Sequence, residues 1–114
     1  MTWTGTWRNQ YGSVLTVTSE ADGRIEGMFR TALQDSGFFG RDFAVSGVHQ
    51  GDCISFAFAG STRKGDMTCA FAGALRDGKL QTMWHVVADR AAEGEGQRPW
   101  PHAVMTNADT FERA

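Results

Sequence analysis

The chain has 114 residues and a formal charge of −2, with 11 basic and 13 acidic side chains interspersed. That length supports one domain with a single core and excludes two. The near-neutral balance leaves no electrostatic footprint for nucleic acid and no polybasic patch for a membrane, and no apolar run approaches the roughly 20 residues that cross a bilayer as a helix. The opening Met1-Thr2-Trp3 lacks the charged and apolar regions of a signal peptide, so the expectation is a cytoplasmic chain or one whose leader has been trimmed.

Along the chain, apolar and polar residues alternate with a period of two. In Arg24-Ile25-Glu26-Gly27-Met28-Phe29-Arg30-Thr31 charged residues alternate with apolar or small ones, and Leu80-Gln81-Thr82-Met83-Trp84-His85-Val86 repeats the pattern. Strands are expected near 5–10, 13–19, 24–31, 42–49, 53–59, 67–75, 79–88 and 104–113. Asp22-Gly23 and Asp77-Gly78 each separate two of these runs, and Asp-Gly suits a tight hairpin because both central residues need positive φ. The pattern predicts an all-β domain over 1–114: an eight-stranded antiparallel up-and-down β-barrel, a size whose interior holds one small ligand.

Two irregular stretches interrupt the meander. Gln34-Asp35-Ser36-Gly37-Phe38-Phe39-Gly40 has the composition of a lid or of an ordinary long hairpin loop. Asp89 to Pro101 is a longer connection in which Pro99 and Pro101 stiffen the backbone around Trp100.

By alternation, Ile25, Gly27, Phe29 and Thr31 face inward on one strand, and Ile54, Phe56 and Phe58 on another. Met67, Cys69, Phe71 and Gly73 follow on the next, then Leu80, Thr82, Trp84 and Val86. Most of these simply fill a core. Trp84 and Trp100, added to Phe58 and Phe71, also supply flat apolar faces suited to a heterocycle. Cys69 points inward and Cys53 outward, which argues against a disulfide, and neither has metal-ligand spacing. His49, His85 and His102 are scattered over separate segments with no nucleophile beside them, so no catalytic triad is indicated.

The segment Gly5-Thr6-Trp7-Arg8-Asn9-Gln10-Tyr11-Gly12-Ser13 sets an amide and a hydroxyl around a glycine turn, so that Asn9 and Ser13 converge on one small polar ligand. Taken with Thr82-Met83-Trp84 and Asn107-Ala108-Asp109-Thr110-Phe111, it resembles the avidin and streptavidin family of biotin-binding proteins over nearly the whole chain.

The resemblance implies a non-catalytic, high-affinity biotin site in the open end of the barrel, with no cofactor and no metal. In that family an Asn and a Ser of the first turn hold the ureido oxygen together with a Tyr on the third strand; Asn9 and Ser13 match, while Phe29 stands at the Tyr position. The ureido nitrogens are met by a hydroxyl residue and an Asp on the last strand, which correspond to Thr31 and Asp109. Hydroxyl residues near the thioether and the valeryl carboxylate align with Cys69 and Met67, each replacement removing a donor, so binding is expected to be weaker than streptavidin's. Asp35 falls in the loop over the carboxylate. Trp84 aligns with the central pocket Trp, Phe58 and Phe71 take positions that are Trp or Phe across the family, and Trp100 resembles the Trp lent to a neighbouring subunit. A homo-oligomer, tetramer or dimer, and a secreted or periplasmic location are further implied. Gly5-Thr6-Trp7 also resembles the opening of the lipocalin barrels, so a lipocalin-like carrier of another small apolar ligand stays open, as does an enzyme using Asp109 and a His.

Overall fold

Asp22 and Gly23 have φ of 54° and 76°, and Asp77 and Gly78 have 51° and 77°. These are the left-handed conformations that two-residue hairpin turns require, and they fold the chain back on itself where expected. The computed structural model describes residues 2–32, 40–62, 65–89 and 104–114. The strands are β1 (Gly5–Asn9), β2 (Val14–Ala21), β3 (Arg24–Arg30), β4 (Phe43–Gln50), β5 (Cys53–Thr62), β6 (Gly65–Arg76), β7 (Lys79–Ala88) and β8 (Val104–Arg113).

Each strand pairs antiparallel with its neighbours in chain order, and β1 closes on β8 through Trp7 opposite Arg113 and Asn9 opposite Phe111. The result is the expected closed up-and-down barrel, in which each of the eight described strands is paired on both sides. β7 and β8 keep their expected bounds, and the other strands shift by one to three residues at one or both ends. Ser13 belongs to the turn before β2, its N–H drawn to the Asn9 side chain, and the β5–β6 hairpin runs on until Thr62 opposes Gly65. A bulge between Val17 and Ser19 leaves Thr18 unpaired against β3, which adds local twist and helps the sheet curl.

Every inward residue expected on β3, β5, β6 and β7 is buried or half-buried. Rings dominate the interior: Phe29 stacks on Phe58 at 5.1 Å, Phe56 on Phe71 at 4.7 Å, and Phe111 meets Phe71 edge-on at 6.0 Å. The barrel has two unlike ends. At one lie the chain termini and the turns at 22–23, 51–52 and 77–78; at the other lie the β1–β2 turn and the connections between β3 and β4, β5 and β6, and β7 and β8. Trp3 and Trp7 fill the first end, with Trp7 Nε1 donating to the Trp3 carbonyl at 3.0 Å.

Candidate ligand-binding site

The second end contains the polar constellation. Gly12, at φ 88°, reverses the chain between β1 and β2, and its N–H donates to the Asn9 carbonyl at 3.0 Å. Inside that turn the Asn9 side-chain oxygen accepts from the Tyr11 and Ser13 N–H groups at 3.0 and 2.9 Å. Both bonds fix which way the amide faces. The oxygen is committed to the turn, and Nδ2 is aimed across the seam at Asp109 Oδ2, 3.0 Å away on β8. Asn9 therefore presents a donor to a ligand rather than serving as a two-way group.

Ser13 is 1% exposed, and its hydroxyl accepts from the Ala32 N–H at 2.8 Å. Its own proton is left for Thr31 Oγ1, 3.3 Å away, or for a ligand. Asp109, 8% exposed, receives Asn9 on one oxygen and Gln10 Nε2 on the other at 3.4 Å, while its carbonyl accepts from Thr82 Oγ1 at 2.9 Å. Donors from Asn9 and Ser13 thus stand beside acceptors on Asp109 and Thr31. That is the complement of a small planar group with one carbonyl oxygen and N–H groups beside it.

Below this rim the wall is apolar. Phe29, Phe58 and Phe71 are buried and in mutual ring contact, with Phe29 5.6 Å from Phe71 and Phe58 6.5 Å from Phe71. Trp84 is half-buried, lies opposite Phe71 in the β6–β7 register, and packs against the core. Met67 and Cys69 line the same inner face of β6. Burial pushes the Cys69 thiol up to about 12, and the nearby Asp109 carboxylate adds to the effect. The thiol is thus neutral and acts as a small apolar group, whereas Cys53 is an exposed free thiol on the outside.

The structure brings together Asn9, Ser13, Phe29, Thr31, Phe58, Met67, Cys69, Phe71, Trp84 and Asp109 at one end of the barrel; Asp35 and Trp100 lie outside the described residues, as do His102 and most of both irregular stretches. Among the described residues no group of His, Cys, Asp and Glu side chains is placed to hold a metal ion. Two residues were not anticipated. Phe43 opens β4, points inward and packs on Phe58 at 5.3 Å; the alternation Phe43, Val45, Gly47 carries the signal. Gln10 is exposed, so alternation hides its contact with Asp109.

The model of the avidin family matches residues 1–114. The barrel is similar to that of a bradavidin2–biotin complex (TM-score 0.80, 19% identity, 100% of this chain and 99% of that one). It is also similar to a rhizavidin–biotin complex (TM-score 0.80, 18% identity, 100% and 97%). Core-bradavidin is 28% identical at a TM-score of 0.74, with 96% of this chain and 97% of that one covered. A comparison with curated proteins gives no match.

Proposed function

The chain belongs to the avidin family, and from that premise we propose that it binds biotin non-catalytically, at about one site per barrel, in the end lined by Asn9, Ser13, Thr31 and Asp109. The observation that carries the reading is the locked Asn9–Asp109 pair: two turn amides hold the Asn9 oxygen, which leaves Nδ2 and the Asp109 carboxylate side by side as donor and acceptor. A cyclic urea has the matching face, with an acceptor oxygen for Asn9 and Ser13 and N–H donors for Asp109 and Thr31. Trp84 and the phenylalanines enclose its fused rings. Family membership makes the protein a binder rather than an enzyme and removes the ground for a lipocalin-like carrier.

Isothermal calorimetry and thermal shift with biotin test the reading. Asn9→Ala and Asp109→Ala should each weaken binding by about 10-fold or more, since each strands a buried polar group. The absence of both heat and stabilisation with millimolar biotin would refute it.

The proposal extends to a homo-oligomer, tetramer or dimer. Val48, Met83 and Val87 are 53%, 56% and 40% exposed on the outer face of β4 and β7, and a groove between them is lined by Ser55, Ala57, Ala70, Ala72 and His85. Small side chains there let the outer face of a second copy approach closely. Native mass spectrometry with and without biotin reads ligand and subunit number together, and a monomer mass at micromolar concentration would remove this part. A role for Trp100 in a neighbour's site belongs to the oligomer proposal and is checked by the affinity of Trp100→Ala. A secreted or periplasmic location is proposed from family likeness alone and is tested by cell fractionation.

A further inference from the structure

The ring stack of the inner wall continues outward and ends on a cation. Phe29 lies 5.1 Å from Phe58, Phe58 lies 5.3 Å from Phe43, and the Arg41 guanidinium sits 5.0 Å above the Phe43 ring. Arg41 precedes β4 and donates from Nη1 to the Ser61 carbonyl near the end of β5, which places it on the rim of the ligand-binding end. The Phe43 ring covers Gly60 so closely that an added Cβ would meet it at 2.5 Å, and Gly60 is the register partner of Met67. Arg41 therefore stands over the part of the wall where Met67 offers no donor.

Its neighbours leave it available. Asp42 is held in a two-pronged pair by Arg30 at 2.8 and 3.0 Å, Asp66 accepts from the Ser61 hydroxyl, and among the described residues no carboxylate lies within ion-pair distance of Arg41. One guanidinium donor is used on Ser61 and the Phe43 ring lies beneath the guanidinium, so further N–H donors stay available to an anionic group at the mouth. We propose that Arg41 is a specificity-determining residue that receives the anionic tail of the ligand, so that the site selects a cyclic urea carrying a free carboxylate over its neutral amide. The inference rests on the biotin reading: with the ureido group at Asn9 and Asp109, the acyl chain runs along the Phe29, Phe58 and Phe43 faces toward this guanidinium.

The test compares biotin with biotinamide, which has the same rings and chain but no charge, on the wild-type protein, Arg41→Gln and Arg41→Lys. The wild type should prefer biotin by about 5- to 10-fold at low salt, with the preference shrinking as salt rises. Arg41→Gln should bring the ratio close to one by losing biotin affinity while biotinamide binds as before, and Arg41→Lys should keep part of the preference. Unchanged biotinamide affinity also shows that the variant is folded. A ratio unaltered in Arg41→Gln, or no preference in the wild type, overturns the proposal while leaving biotin binding in place; binding of neither compound overturns the biotin reading and this inference with it.

Discussion

Phe29 poses the sharpest question about a single residue. Its ring is 4% exposed and stacked on Phe58, so the position contributes apolar contact and no hydrogen bond, while the neighbouring donors Asn9 and Ser13 remain. Phe29→Tyr should slow biotin dissociation and raise affinity about 2- to 10-fold, the worth of one added neutral hydrogen bond of about 0.5–1.5 kcal/mol. An unchanged dissociation rate by stopped-flow would show that the missing phenol does not limit binding. Asn9, Ser13 and Asp109 were legible in the sequence because two of them share one tight turn and the third lies in a motif with its own spacing. The direction of the Asn9 amide was not, since it depends on the N–H groups of Tyr11 and Ser13 within the folded turn. Arg41 escaped for a related reason: outside any alternating run, its meaning comes only from the ring beneath it and the strand end beside it.

Among the strands, β3 and β4 show how a period of two becomes a curved wall. The inward positions read from alternation on β3 are the buried ones, and both Asp-Gly turns have the left-handed φ they need, so strand order followed from local chemistry. Close approach between strands did not. A Cβ at Gly27 would come within 2.0 Å of the Thr16 carbonyl oxygen, opposite the bulge of β2, and one at Gly47 within 2.2 Å of the Ser55 oxygen. Alternation marks Gly27 as inward but is silent on the backbone pressed against either glycine. Gly27→Ala should lower the denaturant midpoint, by about 1–3 kcal/mol of stability or more, because backbone must move to make room. A midpoint equal to wild type would show that the β2–β3 ladder yields easily there.

At the scale of the whole molecule, the two chain ends lock the barrel opposite its mouth. The Arg113 guanidinium stacks on Trp7 at 4.3 Å and donates to the carbonyls of Thr4, at 3.2 Å, and Thr2, tying the end of β8 to the segment before β1. Glu20 on β2 completes the tie: one carboxylate oxygen accepts from the Trp3 and Thr4 N–H groups at 2.6 and 2.9 Å, from Thr4 Oγ1 at 3.1 Å and from the Thr2 hydroxyl, while His49 Nε2 lies 3.8 Å from the other. Closure of β1 on β8 was expected from strand count alone; this tie joins residues far apart in sequence and has no periodic signature. The Thr2 hydroxyl first, then the Thr4 N–H, hold the Glu20 carboxyl down at about 2 against an ordinary 4.5. A depressed carboxyl binds fewer protons in the folded chain than in the unfolded one, so its contribution is full above about pH 4.5 and is lost as pH falls toward 2. The site is partly open to water, which limits the contribution to a melting-temperature shift of a few degrees. Glu20→Gln should therefore melt a few degrees below wild type at pH 7 and close to it near pH 2, because there the carboxyl is about half protonated even in the folded chain and the linked stabilisation is nearly lost. Scanning calorimetry of both proteins across this range measures the gap, and a difference that stays constant with pH would show that Glu20 holds the closed end by packing rather than by its charge.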